Sequence, residues 1–145
     1  MASNNISSRT PEYVQLTLGR IRLLLPQAEL LSLVTAPEIG PAGNGGSIGT
    51  IKVNDAVLPV YNFDEQLQLL STVQGNRSAC ACLDNGKTAF GILCDKAEIV
   101  DGAGMSIVGM PVCMLSANAP VQSLAVQGTR ILCISNTDRI AGLIG

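Results

Sequence analysis

The alternation of apolar and polar positions along this chain predicts many short strands and very little helix. From Tyr13 the run Tyr-Val-Gln-Leu-Thr-Leu is apolar at every second position, breaks at Gly19-Arg20, and resumes as Ile21-Arg22-Leu23-Leu24-Leu25 before Pro26. A period of two matches the pleat of a strand, so a hairpin is expected. Gly19 would supply the turn's unusual backbone angle, with Arg20 and Arg22 on the solvent face. Leu30-Leu31-Ser32-Leu33-Val34 follows a Pro26-Gln27-Ala28-Glu29 turn and reads as a third strand or as a helical turn leading into one. Between Thr35 and Ser47 lie Pro37, Gly40, Pro41, Gly43, Gly45 and Gly46, too many breakers for a regular element, and a mobile surface loop is expected there.

Residues 48–53 and 57–63 are two further strands around Asn54-Asp55, and Asp64-Glu65-Gln66-Leu67 starts a short helix with Asp64 as its N-cap. Pro59 lies inside the second of these strands, which demotes it to an edge or requires a bulge. Residues 78–83 and 88–94 flank Asp84-Asn85-Gly86-Lys87 and form the clearest hairpin, because Asn-Gly is the strongest short hairpin signal. Residues 97–100 are the next strand, Gly102-Ala103-Gly104 a break, and 110–115 a short strand or loop crossing. A last hairpin turns at Gln127-Gly128-Thr129, and Asn136-Thr137-Asp138 caps a terminal helix over 139–144.

Roughly ten short strands with little helix indicate small barrels or a sandwich, and that count is large for one tiny barrel, so two linked barrels are expected. Ala79-Cys80-Ala81-Cys82-Leu83 is apolar at every position, which suits a strand buried on both faces where two layers or subdomains meet.

Composition narrows the function classes. With 145 residues the chain fits one domain, or two very small subdomains sharing a core. Residues 1–11 are expected to form a disordered polar lead and 12–145 the folded unit. Aromatics are 3% of the chain, so its core must be built from Leu, Ile, Val, Ala and Cys. No stretch approaches the roughly 18 consecutive apolar residues of a membrane helix, and no membrane insertion is expected. A net charge of −2, scattered basic residues and an absence of Trp leave neither a phosphate-neutralising patch nor a stacking platform, so nucleic acid is not an expected partner. The odd count of five Cys and an N-terminus lacking a basic-then-apolar leader point to free thiols in a reducing, cytoplasmic setting.

The chain has no His, which removes the usual general base, the Ser-His and Cys-His nucleophile pairs, and the commonest metal ligand. Cys80 and Cys82 share one strand face and, with Cys94 and Cys133, could gather around a soft metal. They sit mid-strand among Ala, Leu and Ile rather than in Cys-x-x-Cys turns, however, which favours a core role. Asp84 and Asp95 flank one hairpin and could serve acid–base chemistry if brought close. Asp84 is more simply the first turn residue, and Asp95 the solvated end of a strand. Gly43-Asn44-Gly45-Gly46 lacks the Lys-Ser/Thr of a phosphate loop. No catalytic residue, metal site or cofactor is therefore expected, and function is sought in surfaces. Two other readings stay open: a barrel binding a small molecule in the inter-barrel junction, and a catalytic barrel using Asp84 or Cys82.

Four segments, read in order, resemble the CheW-like domain of bacterial chemosensory systems. They are Tyr13-Val-Gln-Leu-Thr-Leu-Gly19; Gly49 to Phe63, ending in a Pro-x-x-Asn/Asp-aliphatic/aromatic pattern; Leu83-Asp-Asn-Gly-Lys-Thr-Ala-Phe-Gly-Ile-Leu-Cys-Asp95; and Arg130-Ile-Leu-Cys-Ile-Ser with the helix after it. The likeness spans almost all of residues 12–144. It implies a mostly β fold of two small five-stranded SH3-like barrels sharing a hydrophobic junction. It also implies a non-catalytic adaptor that joins a CheA-type histidine kinase, through its regulatory domain, to the cytoplasmic tips of chemoreceptors. Carried over by position, Leu30, Ser32 and Gly49 line the receptor-facing groove of the first barrel, with Asn54 and Asp55 at the neighbouring tip. Ser32 stands where a Glu is usual, and Val53-Asn54-Asp55-Ala56 replaces an Asn-Leu-Arg-Gly tip, so two charges are missing from the expected partner surface. These departures suit a divergent adaptor from a twitching-motility or other alternative chemosensory system.

Overall fold

The first hairpin forms as the alternation requires. In the computed structural model, which describes residues 12–41, 46–109 and 121–144, β1 (Glu12–Leu18) pairs antiparallel with β2 (Ile21–Pro26) around a turn in which Gly19 has φ +62°. A 3-10 turn, Gln27–Glu29, leads into β3 (Leu30–Thr35), which settles the third apolar run as a strand. β4 (Gly49–Val53), β5 (Ala56–Phe63), a two-residue β6 (Leu69–Leu70), β7 (Ala79–Asp84) and β8 (Ala89–Cys94) follow. The chain continues through β9 (Lys96–Asp101), β10 (Ser106–Gly109), β11 (Ser123–Gln127) and β12 (Arg130–Ile134) to the helix α1 (Thr137–Ile144).

The strands build two curled sheets, giving a mostly β fold of two small SH3-like subdomains. One sheet runs β10-β11-β12-β2-β1-β9, the other β3-β7-β8-β5-β4 with β6 beside β5. Each sheet contains one parallel pair, β12 with β2 and β5 with β8, and all its other ladders are antiparallel. The chain starts in the first sheet, builds the second with β3 to β8, and returns to complete the first. Twelve strands are described rather than roughly ten, because the short β6 and β10 carry too few residues to show a period.

Both-face burial of the central strands is what joins the two sheets. Ala79, Ala81 and Leu83 of β7 enter the largest apolar cluster together with Val14, Leu16, Leu23 and Leu25 of the first sheet. Cys80 and Cys82, on β7's other face, enter a separate cluster with Ile51, Val53, Leu58 and Val60 inside the second sheet. β8 divides likewise, Phe90, Ile92 and Cys94 facing the junction and Leu93 the interior. A third cluster, Leu24, Ala125, Leu132 and Ile134, fills the first sheet. The two Phe, Phe63 and Phe90, lie in the junction, and Tyr61 meets Phe90 edge-on with ring centroids 5.9 Å apart.

Pro59 sits opposite Thr50 on β4, one residue before β5 begins to pair with β8 at Val60, so it occupies a position where that side of the strand is still an edge. The Asn85-Gly86 hairpin closes over residues 85–88, with Gly86 at φ +88° and the Asp84 and Asn85 carboxylate and amide oxygens accepting backbone N–H groups within the turn. Asn136 caps α1, its Oδ1 accepting from Arg139 N at 2.8 Å.

Two local expectations are corrected. Residues 64–67 form a turn, not a helix. Asp64 Oδ1 does accept from Gln66 N and Gln68 N, at 2.8 and 3.0 Å, but Leu67 adopts φ +60° and stops any further turn. Asp95 is not a solvated strand end. It is paired with a buried arginine, described below. The expected strand at 110–115 and the lead at 1–11 lie outside the described residues.

Candidate docking surface

β3 is one edge of the second sheet, β4 being the other, and among the described residues β3 pairs only with β7. Its residues alternate in exposure, with Leu30, Ser32 and Val34 half-buried and Leu31, Leu33 and Thr35 exposed. Leu31 and Leu33, at 39% and 36% exposure, put two large apolar side chains on the solvent face of an edge strand. Beside them a groove of about 390 Å³ runs between β3, the start of β7 and the start of β9, lined mainly by Leu33, Val34, Ala36, Ala79 and Ala97, with Thr35, Ser78, Asp95 and Lys96 as its polar groups. Charges at this rim are already engaged: Lys96 Nζ lies 3.1 Å from Glu98 Oε2, and Asp95 is held by Arg77. An apolar stripe beside an apolar groove, without unpaired rim charge, fits the apolar face of a partner helix.

The expected site residues fall in three places. Leu30 and Ser32 lie two apart on β3, opposite Leu83 and Cys82 with a register shift between them. Asn54 and Asp55 form the exposed two-residue tip between β4 and β5, at φ +49° and +67°, a left-handed pair that Asn and Asp tolerate better than branched residues. Gly49 begins β4 at the opposite end of the sheet from β3. It is buried, opposite Val60, under the strand-like segment in which Gly40 exchanges backbone hydrogen bonds with Thr50. So Leu30 and Ser32 are brought together, as are Asn54 and Asp55, but no ladder joins β3 to β4. The large apolar side chains that β3 offers to solvent are Leu31 and Leu33, which the positional reading passed over.

Gly49 serves close backbone approach. A Cβ there would overlap Ile39 Cγ2 and stand 2.5 Å from the Gly40 carbonyl oxygen. Gly49→Ala is therefore expected to cost about 2 kcal/mol, read as a lowered urea midpoint with unchanged slope.

A polar cluster that the sequence reading missed anchors this region. Arg77, 2% exposed at its side chain, forms an ion pair with Asp95 through Nη1, donates from Nη2 to Phe63 O at 2.9 Å, and from Nε to Asn62 Oδ1 at 3.2 Å. The fully buried Asn62 donates in turn to Thr72 O and Gln74 Oε1, both at 2.7 Å. Asp95 Oδ2 accepts from Gly19 N at 2.9 Å, so the β1–β2 turn of the first sheet is tied to the β8–β9 corner. A signal for this was present: the register pairing Ala79 with Cys94 continues outward to Ser78 and Asp95, which leaves Arg77 one residue from the position facing Asp95.

Nothing in these groups assembles a catalytic constellation. Asp84 is spent on Gly86 N at 2.8 Å, and Asp95 on Arg77 and Gly19. Among the described residues, no group of three or more His, Cys, Asp and Glu side chains is placed to hold a metal ion. The junction where the alternative reading seats a small molecule is built from the buried side chains of the largest apolar cluster. The thiols behave as core groups. A hydrogen bond to Cys82, then burial, raises the Cys80 thiol, and the same hydrogen bond lowers Cys82. Burial pushes Cys94 up to about 12 and also raises Cys133.

A thiol raised in the fold releases its proton first in the unfolded chain. The stability contributed by keeping Cys94 neutral is thus complete below the ordinary value of 9.0 and is lost as pH rises toward about 12. Urea midpoints are accordingly expected to fall steadily above pH 9, and Cys94→Ala to flatten that fall. Thiol labelling below pH 9, mapped by mass, should spare Cys80, Cys82 and Cys94 until the chain unfolds.

No family model matches this chain, and no curated protein matches it in sequence. A solved structure does: the scaffolding protein TtCheW from Thermoanaerobacter tengcongensis superposes with a TM-score of 0.67 over 87% of this chain and 88% of that one, at 16% identity. This chain has the CheW fold. The superposition takes in most of both chains, so the fold is kept with few residues in common.

Proposed function

We propose that this protein is a non-catalytic, cytoplasmic adaptor of a bacterial chemosensory system, docking the regulatory domain of a CheA-type histidine kinase and the helical tip of a chemoreceptor. The CheW fold across nearly the whole chain carries this reading, and the exposed Leu31–Leu33 edge with its apolar groove supplies a surface suited to a helix. In this proposal Leu30 and Ser32 back the receptor side behind the exposed Leu31 and Leu33, Asn54 and Asp55 form a separate tip, and Gly49, buried at the opposite edge of the sheet, holds the fold there rather than touching the receptor. The uncharged Ser32 and Asn54 favour a receptor recognised by apolar packing, as in a twitching-motility or other specialised system. Among the described residues no helix is long and apolar enough to cross a membrane.

Reconstitution tests the proposal. Kinase and receptor from the same chemosensory gene cluster are mixed with and without this chain, and kinase autophosphorylation is followed. A receptor-dependent change in rate that requires this chain is expected. Rates identical with and without it would overturn the adaptor role.

A further inference from the structure

The Asn85-Gly86 turn carries chemistry that the docking role does not use. Glycine after asparagine leaves the following backbone nitrogen unshielded, which makes the pair the most reactive context for deamidation. The Gly86 nitrogen loses its proton and bonds to Asn85 Cγ, the Cγ–Nδ2 bond breaks, and ammonia leaves. Water then opens the succinimide ring at either carbonyl, so the sum is asparagine plus water giving aspartate or isoaspartate plus ammonia.

In the fold every participant is engaged. The Gly86 N–H donates to Asp84 Oδ1 at 2.8 Å, and Asn85 Oδ1 accepts from Lys87 N and Thr88 N, both at 3.0 Å. Asn85 Nδ2 donates to Asp138 Oδ1 at 2.9 Å, while Lys87 Nζ stands 3.8 Å from Asp138 Oδ2. Asp138 belongs to the first turn of α1, which follows the first sheet, whereas Asn85 is in a turn of the second. The same amide that could react therefore clasps the terminal helix to the opposite sheet.

We propose that Asn85 is a deamidation site held in check by this clasp, and that its conversion releases the first turn of α1. Conversion replaces a donor by a carboxylate facing the Asp138 carboxylate, exchanging an attraction for a repulsion. Reaction in the native protein then proceeds through the opened turn, and its rate follows the open population.

The full chain, incubated in native buffer and in guanidinium chloride, is peptide-mapped for the one-dalton gain at Asn85, which mapping separates from the other Asn-Gly pair, Asn44-Gly45. Conversion is expected to be at least about tenfold slower in the folded chain. Asp138→Ala should accelerate the folded reaction about threefold or more, and Asp138→Asn, which keeps the acceptor oxygen, should stay within about twofold of the wild type. Hydrogen exchange over residues 137–144 should rise in Asn85→Asp. Equal rates in folded and unfolded chain, no acceleration in Asp138→Ala, or unchanged exchange in Asn85→Asp would overturn the proposal.

Discussion

Replacing Arg77 by alanine is expected to lower the free energy of unfolding by about 3 kcal/mol, the largest single-residue loss among the polar positions of this fold. The substitution leaves the Asp95 carboxylate, 18% exposed, without its counter-ion, and leaves Phe63 O and Asn62 Oδ1 without the donors that satisfy them. Breaking a largely buried pair by removing one partner costs more than the pair itself contributes, because the surviving charge stays desolvated. Arg77→Lys keeps the charge but not the three-way fork, so roughly half of the loss should remain. Urea unfolding at neutral pH reads both values. A change below about 1 kcal/mol for Arg77→Ala would mean that water satisfies the orphaned groups and that the cluster is not an anchor.

The second large effect is expected at the β3 edge. Leu31→Asp and Leu33→Asp should each weaken binding of a receptor-tip helical hairpin at least about tenfold, because a charge would have to be desolvated where apolar contact is now offered. Both side chains are over a third exposed, so the fold should barely notice either change, which separates lost docking from lost structure. Ionic strength gives a second signature. With Ser32 and Asn54 uncharged, Lys96 already paired and Asp55 left as the tip's own charge, raising salt from about 50 to 500 mM should shift the affinity less than about threefold. Asn54→Arg should introduce a salt dependence that the natural chain lacks.

The strand order was legible where the period was clean. Tyr13 to Leu25, the Asn85-Gly86 hairpin and the turn at Gln127-Gly128-Thr129 declared themselves through alternation and turn chemistry, and the unbroken apolar run of β7 announced burial on both faces. β6 and β10 escaped notice because two and four residues cannot establish a period, and the Asp64 turn was mistaken for a helix because a capping carboxylate looks alike in both. Leu67 decides against the helix through a backbone angle that its side chain does not advertise. The buried cluster was harder still. A lone Arg and a lone Asp eighteen residues apart read as surface charges until the hairpin register places them together. On the candidate docking surface, the positions carried over from the family resemblance include Leu30 and Ser32 of β3, but which face of that strand meets solvent depends on its pairing with β7, and that turns Leu31 and Leu33 outward.

The role proposed for the CheW fold in this protein is to dock a kinase. Calorimetric titration of the full chain with the isolated CheW-like regulatory domain of its CheA-type kinase tests it most directly. Saturable binding at one-to-one stoichiometry with a Kd of about 10 μM or tighter is the predicted result. No heat and no complex at several hundred micromolar, with both proteins folded, would contradict it.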